Sequence, residues 1–218
     1  MVPIISIVGK SKSGKTTLIE RLVLELKSRG YKVATIKHTT HPVATDKPGK
    51  DSWRHIQAGS EATAISSPQG IVLFKPVKNE ASIEQVVRLL DGAYDIVIVE
   101  GFKQSNAPKI EVHRRQLGTP LSKVENLIAI ASDEPLQTSI RQFRLDDIVD
   151  LSNIIETEII IPQRTRISAY INNVPIKFDA LQREMIINTL AAIAFSIKGK
   201  NKIESIDISL RRLINLDR

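Results

Sequence analysis

Ile4-Ile5-Ser6-Ile7-Val8-Gly9-Lys10-Ser11-Lys12-Ser13-Gly14-Lys15-Thr16 opens the chain with an apolar run that feeds into the pattern G-x-x-x-x-G-K-T. That pattern is a phosphate-binding loop, and its chemistry leaves few alternatives. Its glycines permit a turn tight enough for successive backbone N–H groups to point at phosphate oxygens. Lys15 supplies a point charge for the outer phosphates, and the Thr16 hydroxyl is an oxygen ligand of the kind Mg²⁺ takes. Downstream, Thr17-Leu18-Ile19-Glu20-Arg21-Leu22-Val23-Leu24-Glu25-Leu26 spaces its apolar residues as a helix does, which places a positive helix end under the anion. Strand, glycine loop and helix in that order imply a nucleoside phosphate ligand.

Strand and helix signals alternate outward from this unit, the mark of a mostly parallel α/β sheet with helices on both faces. Gly30 stops the first helix, and Val33 to Lys37 reads as a second strand. A polar stretch from His38 to Lys50 is long enough for a loop to imply function. Asp51 and Ser52 are placed to cap a short helix through Ala58. Runs on either side of Pro68-Gln69-Gly70 form an expected hairpin, and Ser82 caps a helix expected to reach Leu90. Asp95 to Glu100 is an apolar strand of the sort buried on both faces. A short strand is expected at Ile110, another at Leu127 to Ala131, and a helix from about Asp146 to Glu156. The sheet domain is expected to span residues 1–162.

Residues 163–218 have a different rhythm. Arg166 to Ile171 and Val174 to Lys177 bracket Asn172-Asn173, a two-residue turn signal. Asp179 is placed to cap a helix through Ile197, and Ile206, Ile208 and Leu210 alternate as a last strand. The expected product is a small β-β-α-β unit, marginal on its own at that size. It is also the basic part of the chain. Residues 163–218 carry 10 Lys+Arg against 5 Asp+Glu, while 1–162 carry 21 against 19, out of a net +7 over 218 residues. With only 4% aromatic residues there is no interleaving of bases and rings of the sort that binds single strands. A solvated face or an acidic or phosphate-rich partner therefore ranks above nucleic acid.

Composition excludes several classes. No cysteine is present, so disulfides, thiol catalysis and zinc–thiolate sites are absent. No apolar run approaches the roughly 20 residues needed to cross a bilayer. Met1-Val2-Pro3 runs directly into the first strand, so no signal peptide is expected and the protein is read as cytoplasmic and not membrane-bound.

Chemistry is expected at four further places. Val99-Glu100-Gly101-Phe102-Lys103 sets an acid and a glycine at the end of a buried strand, where Glu100 would hold Mg²⁺ or orient water. The cluster Asp46-Lys47-Pro48-Gly49-Lys50-Asp51-Ser52-Trp53-Arg54-His55 offers Asp46 as a second metal-shell acid, with Lys50 and Arg54 as anion contacts. Ser132-Asp133 follows the strand at Leu127, and Asp133 is positioned to accept guanine donors, although no Asn-Lys-x-Asp precedes it. His113-Arg114-Arg115 is expected to meet phosphate or a partner, and His38 and His41 carry no assigned role.

Taken together, the loop from Gly9, Thr35-Ile36-Lys37-His38, Asp46 to His55 with Ala58-Gly59, Val99 to Lys103, and Lys109-Ile110-Glu111 resemble the MobB family, the adaptor proteins of molybdopterin-guanine dinucleotide biosynthesis. The resemblance covers residues 1 to about 160. It implies a homodimeric GTP-binding protein with weak hydrolysis that assists the molybdenum-cofactor guanylyltransferase and contacts molybdopterin or its guanine dinucleotide. Carried over, Gly9, Lys10, Ser11, Lys12, Ser13, Gly14, Lys15, Thr16 and Thr17 would hold GTP. Thr16, Glu100 and Asp46 would surround Mg²⁺, with Lys15, Glu100 and Asp46 serving hydrolysis. The chain departs from the family in the approach to Asp46, His38-Thr39-Thr40-His41-Pro42-Val43-Ala44-Thr45, where one histidine and two aspartates are missing. Two alternatives stay open: a small-molecule kinase on the same loop, and a nucleotide-gated interaction module without turnover.

Overall fold

Most strands of the first unit are set by a short apolar or alternating run. Ile4–Val8 forms β1, Val33–Lys37 β2, Thr63–Ser67 β3, Gly70–Phe74 β4, Ile96–Glu100 β5, Lys109–His113 β6, Leu127–Ser132 β7 and Arg141–Arg144 β8. Helices are α1 (Lys15–Ser28), α2 (Asp51–Gln57), α3 (Ile83–Val87) and α4 (Ile148–Ile154), the last continuing through Ile160 in wider π-type turns. The structure is a computed structural model that describes residues 2–41, 43, 48–90, 94–163, 167, 169–171 and 174–198. Six strands join in the order β2-β5-β1-β6-β7-β8, all neighbouring pairs parallel.

Side chains divide between the two faces with period two. Ile5, Ile7, Ile96, Ile98, Ile110, Val112, Ala129 and Ala131 point to one face, where Leu18, Ile19, Leu22 and Leu26 of α1 and Ile148, Leu151, Ile155 and Ile159 of the α4 arm complete a core. The intervening residues Ser6, Val8, Val97, Val99, Lys109, Glu111 and Ile130 are buried as well, outside that cluster. On this second face the connections after β5 and β6 are drawn down by side chains of β6. Lys109, fully buried, donates from Nζ to the carbonyls of Ala107 (2.9 Å), Glu125 (3.0 Å) and Ser105. Glu111 accepts the Leu121 N–H at 2.7 Å. Ile83 and Val87 of α3 are also buried outside the first cluster.

Four local expectations need adjustment. α1 begins at Lys15 rather than Thr17, because Gly14 at φ 100° turns the loop directly into the helix. α3 stops at Val87, since three of its five residues are β-branched and Leu89 and Leu90 close in tight i→i−3 bonds to Val86 and Val87. β8 was not foreseen: Arg141-Gln142-Phe143-Arg144 has one large apolar side chain, enough for an edge strand that pairs only with β7. The helix over 146–156 runs on to Ile160 because Ile155, Ile159 and Ile160 all find the core.

Two compact units are present, Val2–Pro162 and a second that begins at Gln163. In the second, β9 (Tyr170–Ile171) pairs antiparallel with β10 (Val174–Pro175), a shorter hairpin than expected. α5 (Ala180–Lys198) starts at a capping box in which Asp179 Oδ1 accepts the Gln182 N–H and the Gln182 side chain accepts the Asp179 N–H. The expected strand at Ile206 to Leu210 lies outside the described residues.

Candidate nucleotide-binding site

In an all-parallel sheet the connections at the carboxyl ends of the strands form the ligand crevice, here centred on the turn from β1 into α1. Three positive φ angles shape that turn, at Gly9 (149°), Lys12 (63°) and Gly14 (100°). Gly9 also has no room for a side chain: a Cβ there would stand 2.4 Å from the Val112 carbonyl and 2.8 Å from Ser13 Oγ. At the head of α1, Gly14 provides no side-chain cap and the first turn has no acidic residue, so its N–H groups remain for an external anion. Inside the loop, Ser13 Oγ is buried without a hydrogen-bond partner.

Lys15 folds over this cradle, donating from Nζ to the carbonyls of Lys10 (2.8 Å) and Gly9 (3.2 Å). Burial pushes its ammonium below the usual lysine range, Glu100 opposes that shift, and the nearby Lys37 adds to it. A cationic group that is both desolvated and repelled by another cation gains from an incoming phosphate. Thr16 Oγ1 donates to Glu100 Oε2 at 3.0 Å, joining the head of α1 to the end of β5. A hydroxyl and a carboxylate in contact at the phosphates match the donor set of Mg²⁺, which keeps several waters and takes one or two protein oxygens. No group of three or more His, Cys, Asp or Glu that could form an all-protein metal cage occurs among the described residues.

Lys15 and Thr16 at the head of α1, with Thr17 next along the helix, and Glu100 at the end of β5 therefore come together beside the loop formed by Gly9, Lys10, Ser11, Lys12, Ser13 and Gly14. Asp46 lies outside the described residues. Asp133 stands at the end of β7, on the opposite flank of β1 from Glu100. It accepts the Arg115 N–H on Oδ1 at 2.8 Å and pairs through Oδ2 with Arg114 Nη1 at 3.5 Å. The Arg115 amide above all holds its carboxyl below the usual aspartate range; burial opposes that shift, and the Arg114 guanidinium adds to it. His38 packs its ring against Phe102 at 4.2 Å, contacts Glu80, and donates its backbone N–H to the Glu100 carbonyl at 2.9 Å, so it supports the turn after β5.

Sequence reasoning missed how the segment after β6 is fastened to the loop. Lys10 Nζ reaches the Leu117 carbonyl at 2.8 Å, and Arg114 Nε reaches the Ser13 carbonyl at 3.3 Å. The signal available was His113-Arg114-Arg115, which marks a basic cluster without saying what it touches. His113 proves to be a buried partner of Glu134, with Nε2 and Oε1 2.9 Å apart.

Residues 4–133 match the family described as "MobB: Molybdopterin guanine dinucleotide synthesis protein B". The chain belongs to the MobB family. It is 36% identical over 157 residues to the molybdopterin-guanine dinucleotide biosynthesis adapter protein of Haemophilus influenzae, covering 71% of this chain and 88% of that one. To the Escherichia coli protein of the same description it is 32% identical, over 71% of this chain and 92% of the other. Among solved structures, Bacillus subtilis MobB is similar with a TM-score of 0.56 at 27% identity, over 71% of this chain and 96% of that one. A MobB homologue from Bacillus stearothermophilus gives 0.53 at 26%, over 71% and 99%. This MobB-family chain thus carries about 60 residues more than the part it shares with these relatives, in keeping with the second unit that begins at Gln163.

Proposed function

We propose that this chain is an adaptor of molybdopterin-guanine dinucleotide synthesis that binds GTP with Mg²⁺ on the loop from Gly9 to Thr17. The observation that carries the reading is the Thr16–Glu100 contact beside the desolvated Lys15. Backbone amides, Lys15 and the first turn of α1 would hold the phosphates. Thr16 and Glu100 would hold the metal, which supplies charge neutralisation between the β- and γ-phosphates. Asp46 belongs to this metal shell in the same reading, and Asp133 meets the base.

Hydrolysis is slow in this reading. Among the described residues Glu100 is the carboxylate hydrogen-bonded directly to the phosphate loop, and Thr16 already engages it. Nucleotide chemistry resides in 1–162, while 163–218 is an added basic extension. The partners are the guanylyltransferase and molybdopterin or its guanine dinucleotide. The setting is the cytoplasm, in keeping with described helices none of which is long and apolar enough to cross a membrane.

A homodimer is supported by the β3–β4 hairpin. A two-stranded sheet is marginal alone, and α2 offers it one apolar flank through Trp53 and Ile56. Ile71 and Leu73 alternate onto the other face and are 75% and 45% exposed, which a second copy would cover.

The test is a defined reaction with molybdopterin, GTP, Mg²⁺ and the guanylyltransferase. Wild-type chain is expected to raise the yield of guanine dinucleotide, and Lys15→Ala to leave it at the level of the transferase alone. Equal stimulation by both proteins would refute a role for the nucleotide.

A further inference from the structure

The contact between Thr16 and Glu100 orients the crevice. In the strand order β5-β1-β6-β7, Glu100 fixes the β5 flank of β1 as the metal and outer-phosphate side. The nucleoside then extends over the ends of β6 and β7. Two strand spacings separate β7 from β1, about 10 Å, which is the reach of a ribose and base from the inner phosphate. Asp133 stands at that point.

Arg114, the first residue after β6, bridges this interval. Its Nε donates to the Ser13 carbonyl at 3.3 Å, and its Nη1 meets Asp133 Oδ2 at 3.5 Å. The guanidinium also lies close against the loop: a Cβ built on Gly14 would stand 3.5 Å from Arg114 Nη2. The neighbouring Arg115 N–H fixes the other Asp133 oxygen at 2.8 Å. A carboxylate offers about four lone-pair positions, so Asp133 keeps room for external donors beside its contacts with Arg114, Arg115 and its own backbone N–H.

We propose that Arg114 is a positioning residue for base recognition, tying the Asp133 carboxylate to the phosphate loop so that the base acceptor stands at a fixed distance from the phosphates. The inference rests on the guanine reading above, with Asp133 as acceptor for the ring N–H and amino group of guanine. Adenine lacks that pair of donors on the same edge, and a fixed carboxylate left without them rejects it. Arginine suits the task because its planar fork reaches two acceptors at once, whereas a lysine ammonium satisfies one direction with a mobile stem.

Calorimetric titration of the full chain with GTP, ATP and inorganic triphosphate, all with Mg²⁺, tests this on wild type, R114A, R114K, D133N and the double variant R114A/D133N. R114A is expected to lower the GTP-over-ATP preference about tenfold, the scale of one charge-assisted hydrogen bond, with GTP weakened more than ATP or triphosphate. R114K should recover only part of that preference, and the double variant should discriminate no worse than D133N. A preference that survives R114A would overturn the role of Arg114 alone. So would additive losses in the double variant, or an equal loss for all three ligands. Absence of any preference in wild type would overturn the guanine reading and this inference with it. If R114A does not fold, R114Q, which keeps a donor but not the charge, carries the same comparison.

Discussion

At the scale of single residues, the site depends on groups held in unfavourable surroundings until phosphate arrives. Lys15 sits below the usual lysine value of 10.5 through burial, and bound phosphate would raise it again. The nucleotide complex then holds more protons than the free protein in the window between the lowered value and 10.5. Affinity should accordingly fall as pH rises through that window, and binding should take up protons there; titrations in buffers of different ionisation enthalpy measure both. The unfolded chain likewise binds more protons than the free folded one in that window, so the stability of the free protein rises with pH there. An affinity independent of pH up to 10.5 would place Lys15 away from the phosphates. Gly9 gives a second residue-scale expectation. With the Val112 carbonyl 2.4 Å from its Cβ position, Gly9→Ala must push the loop off β6. A loss of about 1–3 kcal/mol in denaturant unfolding is expected, together with loss of nucleotide binding. Retention of both would show that the loop shifts freely.

At the scale of elements, how much can be read in the sequence follows from how much of an element's identity is local. The strand–loop–helix unit at Ile4 to Leu26 declares itself because glycine, lysine and threonine act through the backbone of their own turn. β5 declares itself because both its faces are buried and its run is continuous. β8 does not, since Arg141-Gln142-Phe143-Arg144 becomes a strand only by lying along β7. The tie from Arg114 to Ser13 and Asp133 was equally hidden: it joins residues 101 and 19 positions apart, and only the parallel order β1-β6-β7 brings them together. The β3–β4 hairpin was legible from Pro68-Gln69-Gly70, but its apolar outer face calls for a partner that sequence does not name. Ile71→Lys with Leu73→Lys should convert a dimer to a monomer in sedimentation equilibrium while leaving the helical signal unchanged. A wild-type monomer at high concentration would remove the hairpin as an interface.

At the scale of the whole molecule, the first unit is self-contained. Every residue of its principal core cluster lies between Ile5 and Ile160, and the site residues that the structure describes belong to the same span. A fragment of residues 1–162 should fold cooperatively and bind nucleotide within about threefold of the full chain, a change below 1 kcal/mol. A much larger loss would bring the basic extension into the site. The proposed role of the molecule depends on the loop from Gly9 to Thr17 holding GTP with Mg²⁺, and direct calorimetric titration of the full chain measures that. It should show one GTP per chain, weakened on removing Mg²⁺ or in Glu100→Gln, abolished in Lys15→Ala, and displaced by GDP but not by ATP. GTP binding that persists unchanged in Lys15→Ala, or no GTP binding in the wild type, would contradict it.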